Sequence, residues 1–249
     1  MSLYCWNNSP FSFIVWSMDG VQTTVMDSVA EVGVPRGATR VWLWAEMMVV
    51  FIGAPGLLFF IRESVRGLII PLIMLAGMVC WLILRKMTDF DRSRLWNGRD
   101  FVHHIARSMR VFIPLGIFGT AFSYWYEPER FLSFPLAAPQ FWLMVMILYP
   151  VLSAYPQELV YRVFFMQRYS TLFPRQWQMI LASALFFGWA HAFLGNWIAP
   201  VFTTLGGILF AHTYLRSKSL LQTAIEHGIY GDLLFTVGIG WHFYAGSIG

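Results

Sequence analysis

Gly67-Leu68-Ile69-Ile70-Pro71-Leu72-Ile73-Met74-Leu75-Ala76-Gly77-Met78-Val79-Cys80-Trp81-Leu82-Ile83-Leu84 contains no charged side chain. At ~1.5 Å of rise per residue, such a run is close to the length that crosses ~30 Å of hydrocarbon as a helix. With Pro71 near its start it is a marginal span, but it has company. Comparable apolar stretches lie at 41–61, 109–125, 140–166, 177–194, 197–215 and 219–240, each bounded by charges, Pro or Gly. In lipid the backbone must satisfy its own hydrogen bonds, so these runs are expected as helices rather than strands. The fourth is long and holds Pro150 and Pro156, which predicts a kink. The expected fold is therefore all-α: a polytopic membrane bundle of about seven transmembrane helices over 40–249, after an N-terminal tail at 1–39.

Composition agrees. The 249 residues are 57% hydrophobic and only 12% charged, about half the charge of a soluble domain, with a mean hydropathy of +0.58. Twelve tryptophans suit a chain with two membrane interfaces to occupy. The net charge of +4 sits in loops beside apolar runs, which reads as membrane topology and sets nucleic acid aside. Cys5 and Cys80 make neither a disulfide framework nor a thiolate zinc site. No basic start precedes Phe11-Ser12-Phe13-Ile14-Val15-Trp16, so no cleaved signal is expected.

Seven spans put segments 1–40, 85–108, 167–176 and 216–218 on one side of the membrane. That side collects thirteen basic residues, counting Arg110 at a span's edge, against Arg62, Arg66 and Arg130 opposite. By the positive-inside rule the N-terminus is cytoplasmic. A bacterial cytoplasmic membrane is the expected location.

Ionisable groups at membrane depth cost several kcal/mol unless paired, so each marks a candidate site. The fourth stretch carries Tyr155-Pro156-Gln157-Glu158-Leu159-Val160-Tyr161-Arg162. Glu158 and Arg162 stand one helical turn apart in the favourable acid-before-base order. The fifth holds Phe186-Phe187-Gly188-Trp189-Ala190-His191, and the seventh Glu226-His227-Gly228-Ile229-Tyr230-Gly231-Asp232. A carboxylate and two imidazoles can activate water, relay protons, or hold zinc from three helices. No H-E-x-x-H pair, Gly-rich phosphate loop or G-x-S-x-G elbow occurs, and Ser153 has no adjacent base.

Taken together, Gln157-Glu158-x-x-x-Arg162, Phe187-x-x-x-His191 and His227-x-x-x-Gly231 resemble the three motifs of the CAAX-protease and bacteriocin-processing intramembrane peptidases. Those motifs read E-E-x-x-x-R, F-x-x-x-H and H-x-x-x-N/D, and the resemblance covers about 140–240. It implies a glutamate-type endopeptidase acting on a membrane-associated protein or peptide, with the bilayer as its other partner. Carried over, His191 is the water's partner, His227 the oxyanion or orienting residue, and Arg162 the group that fixes the first-motif carboxylate. Phe187, Asp232 and Glu226 are the expected orienting or substrate-side residues.

Two positions depart from the pattern. The first Glu, usually credited as base, is Gln157, which cannot accept a proton. Gly231 stands where Asn or Asp is expected, with Asp232 rotated ~100° around the helix. Either Glu158 takes over as base, or the chain is an inactive relative that binds or scaffolds membrane partners. A proton-coupled transporter is the third reading. No cofactor is expected, and Glu158, His191 and His227 form the one donor set a zinc ion could use. Thr203, Thr204, Gly206, Gly207 and Ala211 read as a helix-packing face, while Glu46 has no role legible in the sequence.

Overall fold

The computed structural model describes residues 37–244, so most of the tail read at 1–39 lies outside the described residues. Within them the chain forms α1 (Thr39–Phe60), α2 (Arg62–Lys86), α3 (Phe101–Tyr126), α4 (Pro139–Leu172), α5 (Gln176–Leu194) and α6 (Ile198–Ser217), all long and apolar enough to cross a membrane. A seventh helix, α7 (Leu220–Val237), follows after a two-residue break. No strand occurs among the described residues. The all-helical polytopic bundle expected from the apolar runs is what the chain forms.

The seventh helix differs from the other six for a physical reason. It carries Gln222, Glu226, His227 and Asp232, and it is too polar to count as a span by composition. Most of it is buried against other helices, including Gln222, Glu226, His227, Gly228 and Gly231. Protein neighbours rather than lipid surround those groups, so a polar helix is tolerated there. The outer helices show the reverse pattern. Phe60, Val102, Ile117, Trp125 and Phe141 are each more than half exposed, an apolar exterior that water would penalise and lipid would not.

The ends of the bundle sort themselves by contact. At one end, Arg168 grips Glu46 through Nε (3.0 Å) and Nη2 (2.8 Å), and the Tyr169 hydroxyl donates to the same carboxylate at 2.9 Å. This gives Glu46 a role, clamping the start of α1 to the end of α4. The 87–100 loop joins that end: Arg94 donates to Gln167 at 3.1 Å, and Asn97 to the Ser217 carbonyl at 3.1 Å. At the opposite end, Asn196 donates to the His242 carbonyl at 2.9 Å, and the His242 ring meets Glu127 at 3.1 Å. Helix α3 begins at Phe101, eight residues before the apolar run read at 109, because His103, His104 and Arg107 continue it beyond its apolar part.

Two features of α4 and α5 position the site. Helix α4 stays continuous through both prolines but loosens into π-helical turns at Pro150–Ala154 and Leu159–Phe164. Proline lacks the N–H for an i→i−4 bond, and a wider turn absorbs the loss without ending the helix. Helices α5 and α6 then pack closely through glycines. A Cβ on Gly207 would lie 3.0 Å from the Ala184 Cα, and one on Gly188 would lie 2.9 Å from the Pro200 carbonyl oxygen. The small face read on α6 meets a small face on α5.

Candidate active site

Consecutive helical residues point ~100° apart, and the first motif uses that divergence. Gln157 lines a cavity of about 710 Å³ between α2, α4, the end of α5 and the 239–244 segment. Glu158 turns the other way into the protein and has no exposed surface. Gln157 Nε2 donates to Ser153 Oγ at 2.7 Å, one turn earlier. Its Oε1 is buried without a hydrogen-bond partner.

Glu158 is surrounded. Its Oε1 accepts from His227 Nδ1 at 2.8 Å, and its Oε2 lies 3.0 Å from Arg162 Nε. The arginine contact lacks the alignment of a hydrogen bond, since Glu158 Oε2 and Arg162 Nε are both left without one. Charge proximity, one turn apart on α4, therefore holds this pair. Arg162 is fully buried as well. Its guanidinium lies over the Phe187 ring at 4.4 Å and 5.6 Å from the Phe210 ring centroid, with a long 3.5 Å contact to the Gly207 carbonyl. Cation–π attraction offsets part of the cost of burying that charge.

The histidines come from α5 and α7. His191, at the last α-helical residue of α5, donates from Nδ1 to the Phe187 carbonyl at 2.8 Å. That bond sets the tautomer and leaves the Nε2 lone pair free. His191 lines the same cavity as Gln157. His227 stacks on Phe210 at 4.6 Å between centroids and 17° between planes. Because Nδ1 donates to Glu158, its Nε2 is an acceptor, and the Tyr149 hydroxyl donates to it at 2.9 Å. Phe187, fully buried, touches both rings, at 4.7 Å for His191 and 5.6 Å for His227.

The fold thus gathers Gln157, Glu158, Arg162, Phe187, His191 and His227 into one cluster. It leaves two sequence candidates outside. Glu226 is buried against Thr213 and Ser108, at the junction of α7 with α6 and α3. Asp232 is half-buried on α7 and does not line the cavity.

Tyr149 and Phe210 belong to the cluster and were not read from the sequence. Tyr149 explains Gly231: a Cβ at that position would sit 2.6 Å from the Tyr149 hydroxyl and closer still to its ring. The side chain missing from α7 is replaced by a phenol from α4, 82 residues away. The one legible signal was the glycine itself, a gap in a polar motif; nothing local says which residue fills it.

The zinc donor set does not fit this arrangement. Both ring nitrogens of His227 are engaged and Nδ1 of His191 is bonded to a carbonyl. Among the described residues no group of three His, Cys, Asp or Glu could hold a metal ion.

Residues 139–231 match the model of a protein family described as type II CAAX prenyl endopeptidase Rce1-like. The match runs from the start of α4 into α7 and contains all three motifs, and it bears out the resemblance read from them. Over that core the chain is similar to CAAX-protease-type hydrolases. No curated protein and no solved structure matches the chain.

Proposed function

We propose that this multi-pass membrane protein is an intramembrane endopeptidase, hydrolysing a peptide bond in a membrane-associated protein or peptide. The observation that carries this reading is that Gln157 and His191, from two of the three motifs, line one cavity, with the His191 Nε2 lone pair left unused by the Nδ1 bond. A water held there can donate to that lone pair. As its oxygen attacks a scissile carbonyl, His191 Nε2 takes a proton and later returns it to the leaving amine. Glu158 then acts indirectly. Anchored by Arg162, it fixes the tautomer and orientation of His227, as a buried carboxylate does for a histidine in a catalytic triad.

The cavity suits such a substrate. Beyond Arg66, Tyr149, Ser153, Gln157, His191 and Tyr244 its walls are apolar. Ile70, Met144 and Leu148 line it and are also exposed on the outer surface, which gives an apolar peptide a sideways route in between α2 and α4. The charge distribution supports a bacterial cytoplasmic membrane with the N-terminus inside.

The second reading, an inactive relative that binds membrane partners, rests on one observation: the cavity-facing first-motif residue is an amide, and the adjacent carboxylate is sealed off. Complementing a deletion strain separates the two. The membrane proteome of the deletion identifies the precursor that accumulates uncleaved, and immunoblots then follow it. Glu158→Gln and His191→Ala are each expected to abolish its processing in a protein that still folds. Processing and phenotype that survive both changes would replace the peptidase with the binding protein.

A further inference from the structure

Glu158 and His227 make a buried pair that does not itself line the cavity, because Arg162 and Phe210 close it on the other sides. Both His227 nitrogens are occupied, one by Glu158 and the other by Tyr149. Tyr149 is the member of this chain of hydrogen bonds that also lines the cavity. Its ring lies in the space that Gly231 leaves and meets Phe235 edge-on at 5.2 Å. The phenol is thus held at both ends, by its ring in a glycine notch and by its hydroxyl on an anchored imidazole.

We infer that Tyr149 is the cavity-facing end of the Glu158–His227 pair, and that its hydroxyl is the group through which the pair acts on a bound peptide. This rests on the peptidase reading. The hydroxyl hydrogen is committed to His227 Nε2, so the oxygen turns lone pairs to the cavity. Those accept a hydrogen bond from a backbone N–H of the bound peptide, and the anchored pair keeps the acceptor in one place. No proton changes owner in this contact; it orients the substrate while His191 and water carry the chemistry. The absent side chain at Gly231 is then no vacancy in the motif, because the tyrosine occupies its place.

Tyr149→Phe removes the hydroxyl and keeps the ring. Two measurements on the full-length chain test the inference. The first is the 15N resonance of His227 Nε2 in detergent-solubilised protein labelled at its six histidines, assigned with His227→Gln. It is expected to move toward the position of an unbonded lone pair in Tyr149→Phe, and an unmoved resonance overturns the inference. The second is processing of the accumulated precursor, expected to fall at least tenfold in Tyr149→Phe. A resonance that moves while processing stays at the wild-type rate overturns the role of the hydroxyl and leaves the peptidase reading standing. Equal processing by wild type and His191→Ala overturns the peptidase reading, and the inference with it. A reciprocal pair checks the shared space. Gly231→Asn alone is expected to lower the folded yield by collision with the Tyr149 ring, and adding Tyr149→Ala is expected to recover it; recovery that fails also counts against the inference.

Discussion

Arg162 is the most demanding residue in the bundle, a full charge with no exposed surface. Its partners are one carboxylate, two aromatic faces and a distant carbonyl. Removing one member of a buried ion pair leaves the other uncompensated, at a cost of about 3–5 kcal/mol. Arg162→Ala is therefore expected to cut folded yield and processing together. Arg162→Lys should rescue only in part, because an ammonium cannot lie flat between Phe187 and Phe210. Full expression and activity in Arg162→Ala would remove the ion pair from the account.

Gln157 offers a gain-of-function test at the same scale. Gln157→Glu places a carboxylate on the cavity wall, and Ser153, now the acceptor at 2.7 Å, can rotate its hydroxyl to donate instead. A carboxylate can take the water's proton where an amide can only hold the water. Processing is expected to rise by about tenfold or more, while Gln157→Ala is expected to lose about tenfold, or ~1.4 kcal/mol. A glutamate variant no faster than wild type would mean that His191 alone limits the proton step.

At the level of elements, the entry to α7 carries a local conflict. Lys218 sits in the left-handed region at φ 49°, between the end of α6 and the Ser219 cap of α7. A residue with a Cβ pays roughly 1 kcal/mol there relative to glycine. Burial, with Arg94 adding to it, also pushes the Lys218 ammonium down to about 8. Between about pH 8 and the unfolded value of ~10.4 only the unfolded chain holds the proton, so stability rises with pH across that window. Below it the full penalty remains. Lys218→Gly is expected to raise the thermal midpoint in detergent at pH 7 and to flatten the rise between pH 8 and 10. A lower midpoint at both pH values would show that the side chain's contacts outweigh its strain.

The α5–α6 contact predicts the opposite sign. A methyl on Gly188 would run into Thr204 and into the Pro200 carbonyl oxygen, backbone that cannot move aside. Gly188→Ala is expected to destabilise by about 1–3 kcal/mol. Thermal unfolding of the purified variant checks it; an unchanged midpoint would mean that the two helices slide apart without cost.

Across the whole molecule, the contacts at the two ends divide the loops as the basic residues do. Positions 92 and 130 lie at opposite ends of the bundle, near the Glu46–Arg168 clamp and near the His242–Glu127 contact respectively. If the N-terminus is cytoplasmic, as proposed from the basic residues, a cysteine at 130 is expected to be labelled by an impermeant reagent in intact cells, and one at 92 to be protected. The reverse pattern would invert the topology.

The sequence by itself determined the helical class, the approximate ends of the spans and the identity of the polar residues that meet inside. Each of those follows from local chemistry. An apolar run in lipid has to be a helix, its length is set by the bilayer, and a charge at that depth needs a partner. The seventh helix was read only as one more apolar span, and its burial among protein neighbours was not legible. The Glu158–Arg162 pair was legible from its spacing on one helix; only the tertiary structure decided the partners that come from other helices. Whether Gln157 or Glu158 faces the cavity depends on the rotation of α4, which two π turns set and no periodicity records. That Glu46 is held by Arg168, that Glu226 stays outside the cluster and that Tyr149 fills the space at Gly231 are contacts between helices far apart in the chain. Packing decides such pairings, through the shapes of whole helix faces, and a linear pattern carries no measure of those shapes.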